Sequence, residues 1–363
     1  MRAERLATRT LALVDIASES HEEQALLAAI HEATPRSGFD LADDLDSCLL
    51  YVPIARRPDA PLVLFAGHVD TVPIAGNVPG RRDGDEIVGR GAADMKAGLA
   101  VMLELMDDLA TGDIASDLDV GFLFFGREEV STDESALLPL FDRVPALGQA
   151  ALAVVMEPTD NALEVGCLGN LNARVVARGR AAHSARPWLG DNAIHHAIEA
   201  LASVADLPIR DVEIDGLTYR EVVNVTTISG GMAANVLPDR VEATVNFRYA
   251  PTLSPAQAEA RIRELLGHRA IEVTIESNAR PGPVTVHNSL VERLRHAGDL
   301  DVRPKQAWTP VAEFAQRGID AVNYGPGDPR YAHRDDERVH VDALERSYLT
   351  LAAFLRGAGG IST

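Results

Sequence analysis

Three short apolar runs in the first half of the chain predict buried β-strands. The runs span residues 62–66, 120–125 and 151–156, and nearly every position in them is apolar. A strand covered on both faces has this pattern, because both sets of alternating side chains are buried. The pattern of residues 97–109, between the first two runs, is helical. Strands separated by helices predict an α/β domain built on a doubly wound, mostly parallel sheet.

Two helices are predicted before the first strand. Leu6, Leu13 and Val14 fall on one face of a helix. Ser20 followed by Glu23 has the spacing of a capping box, which predicts that a second helix begins there and runs through Ile30.

The second half of the chain has a different pattern, in which apolar and polar residues alternate along the predicted strands. In residues 240–249 every second side chain is apolar, so one face of that strand is polar. The order of elements is strand, helix, strand, strand, helix, strand, which is typical of a ferredoxin-like (α+β) unit. We therefore expect one domain from residues 1–169 and 280–363, with residues 170–279 inserted into it.

Charge and cysteine content narrow the possible functions. The chain has 34 Lys and Arg against 54 Asp and Glu, a formal charge of -20, which would repel nucleic acid and an anionic membrane surface. We therefore expect neither as a partner. Cys48 and Cys167 are the only cysteines, too few for a disulfide framework, and no apolar run approaches the roughly 20 residues of a membrane span. These features predict a cytoplasmic protein.

Histidines and carboxylates follow the predicted parallel strands. In chain order they are His68 and Asp70, then Glu128 and Glu129, then Glu157, and finally His333 after a short strand at 321–324. Each residue alone would be an ordinary polar group. Ligands of open α/β sheets bind beyond the carboxyl ends of the strands, so these side chains should converge. Such a mixture of nitrogen and oxygen ligands suits zinc, with manganese or cobalt as alternatives.

Two local patterns refine this hypothesis. His68 and Asp70 are two residues apart on extended chain and point the same way, so Asp70 can orient the imidazole. The turn at residues 89–94 begins like a dinucleotide-binding loop, but Asp94 stands where the third glycine should be. Its charge would repel a pyrophosphate and suits a cation instead.

Five segments together resemble the family of co-catalytic zinc aminoacylases and exopeptidases. They are GHVDTVP at 67–73, GRGAADMK at 89–96, EE at 128–129, MEP at 156–158 and AH at 332–333. The resemblance extends in order from about Leu6 to Leu355, and it implies a zinc-exopeptidase-like catalytic, metal-binding domain with an inserted lid and dimerisation domain. The family includes deacylases of N-acyl amino acids, carboxypeptidases and dipeptidases.

The resemblance also implies roles for individual residues at a centre with two divalent ions. Asp94 would bridge two ions, most often zinc, with cobalt or manganese as alternatives. His68 and Glu157 would complete one ion site, and Glu129 and His333 the other. The remaining catalytic roles fall to Glu128, as general base, and to Asp70.

Further roles are implied for residues around the substrate. His183, in the inserted domain, would stabilise the oxyanion, often from the partner subunit of a homodimer. Asn235, Arg248 and Gly325 match substrate-binding positions.

Within the family, residues 180–195 and 323–329 most resemble the actinobacterial type of enzyme that hydrolyses N-succinyl-LL-diaminopimelate. The implied reaction yields succinate and LL-diaminopimelate, a step of diaminopimelate and lysine biosynthesis. Acetylornithine deacetylation or another aminoacylase or dipeptidase activity is the alternative, and a catalytically silent binding protein is the alternative of another class. Residues 166–170 (GCLGN) lack the arginine that better-known relatives use for the substrate carboxylate. Either the acyl carboxylate is bound elsewhere or the acyl group is not succinyl.

Overall fold

The structure, a computed structural model, describes residues 1–267 and 270–357. Within these residues the α-helices are α1 (Arg2–Val14), α2 (Gln24–Ala33), α3 (Ala97–Thr111), α4 (Leu137–Arg143), α5 (Ala193–Ala205), α6 (Pro255–Leu265), α7 (Ser289–Gly298), α8 (Val311–Gln316) and α9 (Val341–Arg356). The strands are β1 (Phe39–Asp43), β2 (Cys48–Pro53), β3 (Leu62–His68), β4 (Arg81–Asp83), β5 (Glu86–Val88), β6 (Asp119–Phe125), β7 (Ala150–Val155), β8 (Leu163–Val165), β9 (Gly169–Arg178), β10 (Ala182–His183), β11 (Arg210–Ile214), β12 (Leu217–Gly230), β13 (Val236–Leu237), β14 (Arg240–Tyr249), β15 (Ile271–Ala279), β16 (Val302–Pro304), β17 (Ala321–Asn323) and β18 (Arg338–His340).

The chain divides into two units, and the first is not continuous in sequence. The first unit contains Met1–Val165, Thr285–Arg303 and the chain from Thr309 onward, and the second contains Gly166–Val284 and Pro304–Trp308. The division drawn from the sequence, after residues 169 and 279, differs from this by a few residues. It also leaves out the return of residues 304–308 to the second unit.

The first unit is built on an eight-stranded sheet with the order β1-β2-β6-β3-β7-β17-β8-β16. The four central strands, β6, β3, β7 and β17, are parallel to one another, while β1, β2 and β8 pair antiparallel. Every residue of β3 and β6 is buried, as expected for strands covered on both faces. Helices α1, α3 and α9 pack on one another, and α3 also contacts β3. The predicted α/β fold class with a mostly parallel central sheet is confirmed.

The first two helices differ from each other in how well the sequence predicted them. Helix α1 buries Leu6, Leu13 and Val14, as the pattern indicated. Helix α2 begins at Gln24, and its N-cap residue, Glu23, makes no side-chain hydrogen bond that caps the helix. The predicted capping box is therefore wrong. The hydroxyl of Ser20 instead donates to Asp70 Oδ2 at 2.7 Å.

The second unit is a five-stranded antiparallel sheet with the order β11-β12-β14-β9-β15. Without the edge strand β11, the elements β9, α5, β12, β14, α6 and β15 have the order and pairing of a ferredoxin-like unit. Alternate residues of β14 are buried, and their apolar side chains share a core with residues of α5 and α6. The opposite face of the sheet therefore keeps its polar side chains, as the alternation predicted.

Among the described residues, no helix is both long enough and apolar enough to cross a membrane.

Candidate metal centre

The fold brings the histidines and carboxylates together at one edge of the central sheet. His68 is the last residue of β3, Glu128 and Glu129 follow β6, and Glu157 follows β7. His333 comes after β17. Since these four strands are parallel neighbours, their carboxyl ends meet at the same edge.

Asp94 lies at the middle of the cluster, in an irregular turn between β5 and α3. Its Oδ1 is 3.1 Å from His68 Nε2, and its Oδ2 is 3.4 Å from His333 Nε2. Glu157 Oε1 lies 3.8 Å from the same nitrogen of His68. Glu129 Oε2 lies 3.1 Å from His333 Nε2. The two oxygens of Asp94 thus face two different histidines, each of which has a further carboxylate beside it.

Within the described part of the chain, three sets of ligand atoms are close enough to hold a cation, each with its atoms within 4.8 Å of one another. They are His68, Asp94 and Glu157; then Asp94, Glu129 and His333; and then His68, Glu128 and Glu129. The first two sets share Asp94, and each offers one imidazole nitrogen and carboxylate oxygens, a donor set that zinc and similar divalent ions accept. The residues therefore fit two divalent ions bridged by Asp94.

The orientation of His68 leaves one ring nitrogen for the cluster. The side chain is buried, and Nδ1 lies 3.0 Å from the main-chain oxygen of Asp70. A neutral imidazole that donates from Nδ1 to this oxygen presents the lone pair of Nε2 to Asp94 and Glu157. Burial alone lowers the pKa of His68, but the surrounding carboxylates, with Asp94 and Glu128 the strongest, raise it well above its ordinary value.

The carboxylate of Asp70 supports the neighbouring loop as well as His68. It accepts hydrogen bonds from the backbone amides of Glu128 and Glu129, both at 3.0 Å, and from the Ser20 hydroxyl. Its Oδ1 lies 3.7 Å from His68 Nδ1, farther than the main-chain oxygen of the same residue. Asp70 therefore connects the strand that ends at His68 to the loop that carries the two glutamates.

The acidic residues of the cluster differ in the direction in which their pKa values are shifted. Burial raises the pKa of Glu128 well above its usual value, and the negative charges of Glu157 and Glu129 raise it further. Burial also raises the pKa of Glu129, against a hydrogen bond from His333. For Asp94 burial acts in the same direction, but hydrogen bonds from His333 and His68 outweigh it and lower the pKa. A cluster of carboxylates with raised pKa values favours binding of a cation in place of protons.

Gly325 packs against the main chain of Glu157. A Cβ at residue 325 would lie 2.5 Å from the carbonyl oxygen of Met156 and 2.6 Å from that of Glu157. At Gly327 a Cβ would lie 2.3 Å from the carbonyl oxygen of Ala93. The turn from 325 to 327 can therefore approach the segments of both Glu157 and Asp94 only because these residues are glycines.

The other candidate residues lie in the second unit. His183 pairs with Val236 in the small sheet of β10 and β13, and the Ser184 amide donates to the Asn235 oxygen at 2.9 Å, so that His183 and Asn235 are neighbours. The His183 ring is exposed, and its Nδ1 accepts a hydrogen bond from the Ala185 amide at 3.0 Å.

Arg248 lies on the polar face of β14. Its Nε donates to Asn246 Oδ1 at 3.1 Å, and burial lowers its pKa from the ordinary value. Among the residues that the structure describes, no carboxylate lies within ion-pair distance of its guanidinium. A partly desolvated arginine without a counter-charge is suited to a ligand carboxylate.

Sequence reasoning missed three residues that support the cluster: Ser20, Arg90 and Glu337. Ser20 was assigned to a helix cap, and Arg90 was noted only as part of a turn. Glu337 accepts hydrogen bonds from the amides of Ala93 and Asp94, both at 3.0 Å. No sequence pattern marks Glu337, because its partners lie more than 240 residues away in the chain.

A family model, two relatives and a solved structure were found to be similar to this chain. Residues 64–357 match the model of peptidase family M20/M25/M40. A Mycobacterium tuberculosis protein provisionally named succinyl-diaminopimelate desuccinylase DapE is 39% identical over 355 residues, 96% of this chain and 97% of the relative. Succinyl-diaminopimelate desuccinylase of Corynebacterium glutamicum is 37% identical over 340 residues, 92% of each chain. The crystal structure of aminopeptidase PepT from Bacillus cereus superimposes with a TM-score of 0.78 at 21% identity, covering 98% of both chains, which shows the shared fold.

Proposed function

The chain belongs to peptidase family M20/M25/M40, and on that premise we propose that it is a metal-dependent amidohydrolase that cleaves N-succinyl-LL-diaminopimelate to succinate and LL-diaminopimelate. The observation that carries the reaction class is the pair of three-residue ligand sets that share Asp94. The substrate follows from the two relatives at 39% and 37% identity, both aligned over nearly their whole length. In this role the protein serves diaminopimelate and lysine biosynthesis.

We assign the metal ligands from the two sets. Asp94 would be shared by the two ion sites, His68 and Glu157 would hold one of the ions, and Glu129 and His333 would hold the other. Two imidazoles among carboxylates favour zinc, with cobalt or manganese as possible occupants.

Glu128 is the general base of the proposed reaction. When bound, the two ions polarise the amide carbonyl and lower the pKa of a water molecule. Glu128 belongs to neither set that shares Asp94, so its carboxylate remains available to take a proton from that water. The water oxygen bonds to the succinyl carbonyl carbon, the carbon–nitrogen bond breaks, and Glu128 returns the proton to the departing amine. Asp70 holds the Glu128 amide and so positions this base.

The second unit supplies the proposed substrate contacts. Arg248 would bind a substrate carboxylate through its unpaired guanidinium, with a charge-assisted hydrogen bond that an acetyl group cannot form. His183 would stabilise the oxyanion, and Asn235, its neighbour on β13, would contact the substrate. In the first unit, Gly325 would line the substrate site beside Glu157.

We also propose that the inserted domain acts as a lid and forms a homodimer. The exposed apolar side chains of this unit include Ile198 at 60%, Ile228 at 61% and Met232 at 87%. Strand β12 extends from Leu217 to Gly230, but β11 pairs with only Leu217–Glu221, which leaves the rest of that edge open. An open strand edge beside apolar side chains is suited to pairing with a second copy. In that dimer His183 would act in the active site of the partner subunit.

The proposed partners follow from the net charge of the chain, and the proposed location follows from its cysteines. With a formal charge of -20, the chain is suited to a small-molecule substrate rather than to nucleic acid or an anionic membrane. Neither Cys48 nor Cys167 forms a disulfide, which fits a cytoplasmic protein.

The experiment that tests this proposal measures kcat/KM for N-succinyl-LL-diaminopimelate, N-acetyl-diaminopimelate and N-acetylornithine at saturating zinc. We expect the succinyl compound to be preferred, by roughly 10⁴-fold if its carboxylate contact is fully buried and by less if the contact is partly solvated. Arg248→Lys should reduce kcat/KM, because lysine cannot form a two-pronged contact. Arg174→Lys, at a position of β9 where the arginine side chain is 42% exposed and paired with Glu276, is the matched control.

Two outcomes would contradict the proposal in different ways. Equal turnover of the acetyl and succinyl compounds would reject the desuccinylase assignment and favour acetylornithine deacetylase or another aminoacylase. Tight metal binding with no hydrolysis of any amide would favour a catalytically silent binding protein.

A further inference from the structure

We infer that Glu337 is a positioning residue that fixes the bridging Asp94 relative to His333. The inference rests on the two-ion centre of the proposed function. It concerns a buried carboxylate that contributes no ligand atom to that centre.

The Glu337 carboxylate holds the turn that carries Asp94. The residue is 1% exposed, and its Oε1 accepts the amides of both Ala93 and Asp94 at 3.0 Å. Asp94 has φ −122° and ψ 93°, which is not helical, so the turn lacks the regular hydrogen bonds of the following helix α3. The Glu337 carboxylate takes the place of the main-chain acceptors that a regular helix would provide, and it satisfies the two buried amides.

Arg90 completes the link from the other side. It is 3% exposed, and its Nη1 lies 3.0 Å from Glu337 Oε2. The same guanidinium donates to the main-chain oxygens of Pro73 and Arg334, each at 3.1 Å. The buried pair therefore joins the chain just after β3, the Asp94 turn and the segment that follows His333.

This link holds the Asp94 turn and the segment after His333 in place relative to each other. Because each oxygen of Asp94 faces a different histidine, a shift of its main chain would displace a ligand atom at both ion sites. His68 is held independently, as a buried residue of β3. His333 has a left-handed φ of 64°, and its side chain is 53% exposed, so burial does not hold it in place. Loss of the Glu337 link should therefore weaken chiefly the site of His333 and Glu129.

The test is calorimetric titration of the metal-stripped full chain with zinc. The unmodified protein should show two binding steps. Glu337→Gln keeps the size of the side chain but loses the charge opposite Arg90, and we expect it to weaken one step by about ten- to a hundredfold. Glu129→Ala, which lacks a proposed ligand of the His333 site, identifies the affected step, because only the other one should remain.

A matched control separates positioning from general stability. Asp119 is also buried, accepts the amide of Arg57 at 2.9 Å and forms ion pairs with Arg56 and Arg57. Asp119→Asn breaks this comparable network, which contains no candidate ligand, and should leave both zinc affinities unchanged. If Glu337→Gln does not fold by circular dichroism, Arg90→Lys tests the same link. Lysine keeps the charge but has all its donors on one nitrogen, so it cannot reach the acceptors that Arg90 contacts through Nε and Nη1.

The results distinguish the two proposals. Unchanged zinc affinities in a folded Glu337→Gln or Arg90→Lys variant would overturn the positioning role while leaving the metal centre intact. An equal loss in Asp119→Asn would also overturn it. Failure of the unmodified protein to bind zinc, cobalt or manganese would instead reject the metal centre of the proposed function.

Discussion

Glu313 offers a quantitative test of the first unit, because it is a buried acid with a single hydrogen-bond partner among the described residues. It lies on α8, is 2% exposed, and its Oε2 accepts a hydrogen bond from Ser135 at 3.3 Å. Its Oε1 has no such partner. Burial raises the pKa of Glu313 from 4.5 to about 8. The change to be made is Glu313→Gln, which preserves shape and removes the titration.

The sign and size of the effect follow from linkage. Between pH 4.5 and about 8 the folded chain keeps a proton on Glu313 that the unfolded chain has lost, so the free energy of unfolding decreases as pH rises. Each unit of pKa difference corresponds to about 1.4 kcal/mol. From pH 5 to pH 8 this single group should therefore lower the free energy of unfolding by roughly 3 to 4 kcal/mol, a decrease that the Glu313→Gln variant lacks.

The assay is urea denaturation at pH 5, 6.5 and 8, followed by circular dichroism, on the unmodified protein and the variant. As pH rises, the unfolding free energy of the variant should increase relative to that of the unmodified protein. Glu32→Gln, an exposed residue of α2, controls for loss of a surface charge. If the Glu313→Gln and unmodified curves stay parallel from pH 5 to pH 8, Glu313 titrates as an exposed carboxyl and the argument is wrong.

Two further predictions concern catalysis. Glu128→Gln should lower kcat by roughly 10²- to 10⁴-fold in an activity assay without loss of metal. Glu129→Ala should instead lose one ion, as measured by metal analysis. The reverse pattern would exchange the roles of the two glutamates. Mixed dimers of Glu128→Gln and His183→Ala subunits should regain activity that neither variant has alone, because one site then combines an intact Glu128 with the partner's His183. Verified hybrids that stay inactive would exclude a role for His183 across the dimer.

The sequence predicted best those elements whose burial is decided by local pattern. Strands β3 and β6 are buried on both faces, so their continuous apolar runs located them within two residues. The alternation of β14 likewise gave its bounds. Strand β1 was missed because most of its residues are exposed at the sheet edge, where no apolar pattern marks them.

The candidate site shows the same limit. Side chains at strand ends could be grouped from the topology of a parallel sheet, and the structure brings His68, Glu157 and His333 to the same edge. Contacts between distant segments could not be deduced in this way. The Ser20 hydroxyl had a plausible local donor in the backbone amide three residues on. In the folded chain the hydroxyl instead donates to Asp70, 50 residues away. Capping rules describe local preference, and a tertiary partner overrode it here.

The place of β17 in the central sheet has a consequence for how the protein is made. Strand β17 lies between β7 and β8, although residues 166–284 separate it from both in the chain. A ribosome releases the chain from its N-terminus, so β7 and β8 emerge with a gap between them that only Ala321–Asn323 can fill. The whole of the second unit, which ends at Trp308, has been synthesised by then. A chain that stalls before residue 321 leaves an open sheet, and such nascent chains are the ones that require chaperones.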